Sequence, residues 1–215
     1  MRVGIIDYGS GNIRSVYKSF EKASSLLDKN FQIIIVDSIE ELKKVDKVVL
    51  PGVGAFSDCM QGMNNIQGLV NLLHDMILKD AKPFLGICVG MQLLANFSKE
   101  YGYTEGLSWI DGDVSSIEIV EAEMKVPHMG WNKVKQIKDH PLWKDVPDNS
   151  RFYFVHSYYV HTADKIKITG TTSYGTEIVS CLAEDNIFAT QFHPEKSQKV
   201  GLTLLRNFLN WDGKS

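Results

Sequence analysis

Cysteine is scarce in this chain of 215 residues: there are three, and no two stand in a metal-type pairing. That pattern fits a reduced compartment better than a disulfide framework. An excess of positive charge is also missing. With a formal net charge of −3, the chain has no electrostatic footprint for nucleic acid or an anionic membrane surface. No apolar run approaches the ~20 residues that a membrane helix needs, and the opening Met1-Arg2-Val3-Gly4-Ile5-Ile6-Asp7 reads as a strand rather than a signal peptide. No linker, repeat or low-complexity tract interrupts the chain, and nothing in it resembles a phosphate loop. Asp7-Tyr8-Gly9-Ser10-Gly11 has the outline of a dinucleotide loop, but Arg14 stands where the third glycine belongs. His128, His140, His156 and His161 are too scattered for helical metal-ligand pairs and read as packing or surface residues. The absences together predict a soluble, cytoplasmic, single domain over residues 1–215, with no metal or cofactor.

What is present begins with alternation. Val3 to Ile6, Phe31 to Val36, Lys47 to Leu50 and Phe84 to Ile87 are short apolar runs, and Ile13 to Ala23, Ile66 to Leu78 and Met91 to Phe97 have helical spacing between them. The spacing predicts an α/β fold with a doubly wound, mainly parallel sheet. From about Val114 the texture changes to short alternating runs, Trp131 to Ile137, Arg151 to Val160 and Ile166 to Thr172, which read as antiparallel strands before a final helix, Val200 to Trp211. In doubly wound sheets, sites form beyond the carboxyl ends of the parallel strands.

Two segments carry reactive chemistry to that end. Gly86-Ile87-Cys88-Val89-Gly90 puts Cys88 where a strand turns into a helix, and glycines two residues to either side permit the sharp turn of a nucleophile elbow. The amides at a helix start favour a thiolate, as would a nearby imidazolium. Cys59 and Cys181 have no glycine frame and read as small buried hydrophobes. In His193-Pro194-Glu195, an extended backbone would point histidine and carboxylate to the same side, supplying a base and the group that orients it. Pro51-Gly52-Val53-Gly54, after the apolar run Lys47 to Leu50, offers backbone donors: the amides near Val53 and Val89 could hold an oxyanion, at about 3 kcal/mol per donor. The same loop also reads as a plain strand-end turn.

Pro51-Gly52-Val53-Gly54-Ala55-Phe56, Gly86-Ile87-Cys88-Val89-Gly90-Met91-Gln92, Pro127-His128-Met129-Gly130-Trp131-Asn132, Phe154-Val155-His156-Ser157-Tyr158 and Gln191-Phe192-His193-Pro194-Glu195-Lys196-Ser197 resemble the triad-type glutamine amidotransferases nearly end to end. The opening Ile5-Ile6-Asp7-Tyr8-Gly9-Ser10-Gly11-Asn12 and the His128 to Asn132 run narrow the resemblance to glutaminase subunits of imidazole glycerol phosphate synthase. Val89, where Leu is common, and a slightly long connection from Ser24 to Asn30 are small departures.

The resemblance implies that Cys88 is the nucleophile, His193 the general base and acid, and Glu195 the group that fixes the imidazole tautomer. It implies a glutamine site lined by Gly52, Gly54, Gln92, Glu100, Ser157 and Tyr158. Gln92 is one helical turn past Cys88 and Glu100 two further turns on; both also read as ordinary solvated helix residues. Asn12, Trp131 and Tyr153 would face a partner, or serve as core and turn residues. The partner implied is a (β/α)8-barrel cyclase forming a heterodimer. It would add the ammonia to a phosphoribulosyl imidazole precursor, giving imidazole glycerol phosphate and an aminoimidazole carboxamide ribonucleotide in histidine biosynthesis. Weak basal glutaminase activity, rising with the partner and its substrate, is the corresponding expectation. A related glutaminase feeding another synthase, a stand-alone peptidase or γ-glutamyl hydrolase, and a noncatalytic module are the alternatives.

Overall fold

Continuous apolar runs build the first half because parallel strands in the middle of a sheet are covered on both faces. The computed structural model describes residues 1–120 and 124–214. Strand β1 (Arg2–Ile6) leads to helix α1 (Ile13–Ser24), β2 (Gln32–Val36), the short α2 (Ile39–Leu42), β3 (Lys47–Gly52), α3 (Phe56–Asn65) and α4 (Leu69–His74). A wider π turn, Asp75–Lys79, closes α4 before β4 (Phe84–Cys88), α5 (Val89–Gln92), β5 (Phe97–Ser98), β6 (Thr104–Glu105) and β7 (Asp113–Ser116). The remainder is β8 (His128–Gln136), β9 (Ser150–His156), β10 (Tyr158–His161), β11 (Ile168–Tyr174), β12 (Thr176–Glu184), β13 (Ile187–Thr190) and α6 (Gln198–Asn210).

A nine-stranded sheet runs in the order β2-β1-β3-β4-β13-β12-β11-β8-β9. Its members from β2 through β13 are parallel neighbours, and from β13 to β9 they are antiparallel. A smaller sheet has the order β10-β7-β5-β6. Every residue of β3 and β4 is buried, and full burial of a side chain such as Phe84 contributes roughly 1.5–3 kcal/mol. Helix α1 packs on α6, with Phe20 and Phe208 edge to face at 6.0 Å. Lys47 is buried at the start of β3, where its Nζ donates to the carbonyls of Phe208, at 3.0 Å, and Trp211. A cation there adds to the bond that the Phe208 carbonyl accepts from Trp211 N–H and complements the carbonyl end of α6.

Three expectations change. The helix expected over Met91 to Phe97 is confined to Val89–Gln92. Leu93, Leu94 and Ala95 are fully buried, and their carbonyls accept from Leu107, Trp109, Ile110 and Ser108 rather than from the next helical turn. Phe97 therefore enters a strand, and Glu100 does not lie along a helix from Cys88. The run Arg151 to Val160 is two strands, β9 and β10, in different sheets and divided at Ser157. The strand before His193 stops at Thr190, and Pro194–Lys196 is a 3-10 turn, so the pairing of His193 with Glu195 comes from that turn and not from an extended segment.

Candidate active site

Strand β4 ends in the elbow. Cys88 has φ +56° and ψ −112°, a region costly for a residue with a Cβ, on the order of 1–3 kcal/mol. The turn is tight enough that a Cβ at Gly86 would lie 2.8 Å from the Gly90 carbonyl oxygen, and one at Gly90 would overlap the Leu50 carbonyl. Glycine at both positions is the steric condition for the elbow. Val89 opens α5, so its N–H has no partner within the helix. In register beside Cys88 on β3 sits Gly52, buried behind the elbow, where a Cβ would meet Gly90 N and the Tyr8 hydroxyl at 2.9 Å. The resemblance put Gly52 on the glutamine site; it instead lets β3 approach the elbow, and Val53 and Gly54 reach the cavity. The Val53 carbonyl accepts from the Ser10 hydroxyl at 2.6 Å and the Cys59 thiol at 3.5 Å, which anchors the loop's backbone.

His193 is delivered from the other side. Its N–H donates to the Tyr153 carbonyl at 2.9 Å, and its own carbonyl accepts from Ser197 Oγ at 2.6 Å. Nδ1 of His193 and Oε1 of Glu195 are 2.7 Å apart, with both side chains buried. Burial disfavours the imidazolium, but the nearby Cys88 sulfur and then the Glu195 carboxylate outweigh it and raise the His193 pKa to about 10. Among the described residues, Nε2 has no partner of ordinary hydrogen-bond geometry. A thiol, a buried imidazole and a buried carboxylate thus stand in series, which is an arrangement for nucleophilic attack with proton transfer.

A cavity of about 590 Å³ opens over them, lined by Cys88, Val89, His193 and the Val53–Gly54 loop. That is ample for an amino-acid-sized substrate.

The class-I glutamine amidotransferase family matches residues 4–211. The chain belongs to that family. It is 44% identical over 214 residues to the imidazole glycerol phosphate synthase subunit HisH of Brucella suis biovar 1, covering 98% of this chain and 99% of that protein. The HisH protein of Rhodospirillum rubrum is 45% identical over 212 residues, with 98% and 99% covered. Among solved structures, a putative GMP synthase protein of Thermoplasma acidophilum superposes with a TM-score of 0.69 at 20% identity, over 98% of this chain and 92% of that one. A glutamine amidotransferase of Thermotoga maritima gives 0.67 at 18% identity, over 100% and 99%. These two share the fold, an α/β architecture with a parallel region and an antiparallel extension.

The remaining expected residues of this amidotransferase divide. Gln92, Glu100, Ser157, Tyr158 and Asn12 all line the cavity. Glu100 arrives by way of the loop after β5, and its Oε2 accepts from Phe56 N–H, the first of α3, at 2.7 Å. It therefore caps α3 and fixes the end of the Val53–Gly54 loop as well as facing the cavity. Trp131 and Tyr153 are cross-strand neighbours whose rings meet edge to face at 6.0 Å, with Trp131 43% exposed. Lys196 lies over the Tyr153 ring at 5.6 Å and lines the cavity, so this aromatic step borders the site without lining it. Two contributors escape a reading of the sequence. His156, read as packing, lines the cavity, and Gln191 contacts Cys88 from a fully buried position. The signal in the sequence for Gln191 is its place at the head of the run that carries His193 and the family resemblance.

Proposed function

We propose that this chain is the glutaminase subunit of an imidazole glycerol phosphate synthase in histidine biosynthesis, acting in the cytoplasm as one amidotransferase domain over residues 1–215. The observation that carries the reading is Cys88, held at φ +56° on the elbow beside the buried His193–Glu195 pair. The thiol proton passes to His193, and the sulfur attacks the side-chain carbonyl carbon of glutamine. The oxygen of the tetrahedral intermediate takes its negative charge next to the Val89 amide and the Val53 loop, where preorganised donors lower the barrier. His193 returns the proton to the departing nitrogen, releasing ammonia and leaving a glutamyl thioester. It then takes a proton from water, which attacks the thioester; collapse gives glutamate, and the proton goes back to sulfur. Glu195 holds the ring in the tautomer with Nδ1–H, so that Nε2 faces the reaction.

A (β/α)8-barrel cyclase is the proposed consumer of the ammonia, docked as a heterodimer over the side bordered by Asn12, Trp131 and Tyr153. Glutamine hydrolysis without a consumer wastes the substrate, so coupling to the partner is expected. The test is glutamate release by the chain alone, then with the cyclase and its nucleotide substrate. Weak release alone and strong stimulation by both supports the assignment. Equal rates in all conditions would overturn the coupling, and high activity alone would favour an independent hydrolase.

A further inference from the structure

Gln191 has no role in the proton transfers above, yet its side chain is completely buried with Nε2 donating toward Cys88 Sγ at 3.8 Å. The two ends of a carboxamide have the same shape and opposite hydrogen-bonding character, so its neighbours decide which end meets the sulfur. Gln92 decides it here. Its Nε2 donates one hydrogen to the Tyr158 carbonyl at 2.9 Å and the other to Gln191 Oε1 at 3.1 Å. A reversed Gln191 would set two amino groups against each other and turn a carbonyl oxygen onto the sulfur.

The Tyr158 carbonyl that holds Gln92 is itself held. It accepts from His156 Nδ1 at 2.9 Å, which makes His156 Nε2 an acceptor for His128 Nδ1, also at 2.9 Å. His128 Nε2 then accepts from Asn132 Nδ2 at 3.2 Å. The orientation of Asn132 is fixed independently: Oδ1 accepts from Lys133 N–H at 2.8 Å, and Nδ2 also donates to the Ser173 carbonyl at 3.0 Å. Every donor in this series points the same way, from β8 to the Tyr158 carbonyl. The His128 ring is sandwiched against Phe154 at 4.7 Å and Tyr174 at 3.9 Å, so it cannot turn over without breaking that packing. The series works only while both rings are neutral, since a proton on either nitrogen acceptor would oppose two donors.

We propose that Gln191 is a further catalytic residue of the glutaminase reaction, in direct contact with the nucleophile. Its amide N–H steadies the Cys88 sulfur as negative charge develops there; Gln92 keeps that amide correctly turned, and the series Asn132–His128–His156 holds in place the Tyr158 carbonyl on which Gln92 is anchored. The proposal rests on Cys88 being the nucleophile. An N–H donor to a charged partner is stronger than one to a neutral partner, so the effect belongs to the thiolate and to steps in which sulfur leaves as one. Gln191 carries no charge; among the described residues, the ionisable groups that interact with Cys88 are His193, Tyr8 and Cys59.

The experiment is iodoacetamide alkylation of Cys88 in the full chain, followed by peptide mass spectrometry across neutral to alkaline pH, with glutamine kinetics in the presence of the cyclase partner. Gln191→Met keeps the length and removes the donor. Its alkylation profile should move to higher pH, and kcat should fall about tenfold, the worth of one hydrogen bond to a charged group, with KM changed by less than about twofold. Gln191→Glu keeps the shape and the acceptor facing Gln92 should the Met variant fail to fold; with a carboxylate oxygen in place of the N–H, it should move the profile at least as far to higher pH. His156→Phe, at a position with no hydrogen bond to Gln191 or Cys88 among the described residues, should shift the profile the same way by about threefold in rate. A wild-type profile and kcat in a folded Gln191 variant would overturn the inference alone. A wild-type chain that releases no glutamate, or a Cys88→Ala chain that still does, would overturn the nucleophile assignment and this inference with it.

Discussion

His193 and His156 line one cavity, with His128 bonded to His156, and the three are nearly equally buried, at 1%, 6% and 3% exposure respectively, yet they are held in opposite protonation states. Burial disfavours the charged ring in all three. At His193 the Cys88 sulfur and the Glu195 carboxylate overcome it, and the pKa rises to about 10. At His156 burial prevails, with the neighbouring His128 and His193 adding to it, and the value falls to about 3; at His128 burial alone takes it to about 4. The partner, not the depth, decides the charge. One pair is built to carry a proton through a reaction, and the other to carry none and keep its hydrogen bonds pointing one way.

The strongest way to break this contrast is to remove the sulfur. Cys88→Ala should cut glutamine hydrolysis by about a millionfold and should also make His193 less unlike its buried neighbours. Cys88 is the largest of the causes that raise the His193 pKa, so imidazole NMR should show its titration midpoint moving down from about 10 in the variant. The sign follows from linkage: a raised pKa contributes stability that is complete below the unfolded value of 6.5 and is lost as pH climbs through the folded value. The variant should therefore lose stability toward alkaline pH sooner than the parent. An unmoved midpoint would mean that Glu195 alone sustains the imidazolium.

Glu195→Gln tests the other partner and should have a smaller effect. The amide can still bond to Nδ1 but carries no charge, and it can present a donor as readily as an acceptor, which admits the wrong tautomer. A fall in kcat of about ten-thousandfold with nearly unchanged KM is expected, together with a lower His193 midpoint. Steady-state kinetics and the same titration check both halves. Retention of full kcat would show that the fold around Ser197 and Tyr153 orients the ring without the carboxylate.

The triad and the histidine pair were not equally legible in the sequence. The elbow could be read because its requirements are steric and local: Gly86 and Gly90 frame Cys88, and β3 and β4 are unbroken apolar runs. The parallel strands were legible for the same reason. The length of the helix after the elbow is not legible, because full burial on every side imitates amphipathic spacing at Leu93 and Leu94, and its end is set by bonds to the distant Leu107–Ile110 loop. Glu100 accordingly reaches the cavity by a route that no periodicity could suggest. The histidine series was invisible because its members are brought together by the β8–β9 register, which places His128 opposite His156. A scattered set of histidines in sequence gives no sign that two of them face each other across adjacent strands.

The mildest perturbation sharpens the comparison from the neutral side. A depressed histidine pKa contributes stability that is present above the unfolded value of 6.5 and is lost as pH falls toward the folded value, because the unfolded chain binds the proton first. His128 and His156 should therefore weaken the fold progressively from pH 6.5 down to about 4 and about 3 respectively. His140, depressed to about 4, acts in the same direction. His128→Phe keeps the stacking on Phe154 and Tyr174 but leaves His156 Nε2 without its donor, at a cost of about 1–3 kcal/mol near neutrality. With one acid-sensitive group gone, the variant should have a flatter acid limb, so its stability curve approaches that of the parent as pH falls. Urea midpoints collected over that range test this directly. Parallel curves would mean that His128 is not held neutral in the fold, and the distinction between the triad and the histidine pair would then rest on His193 alone.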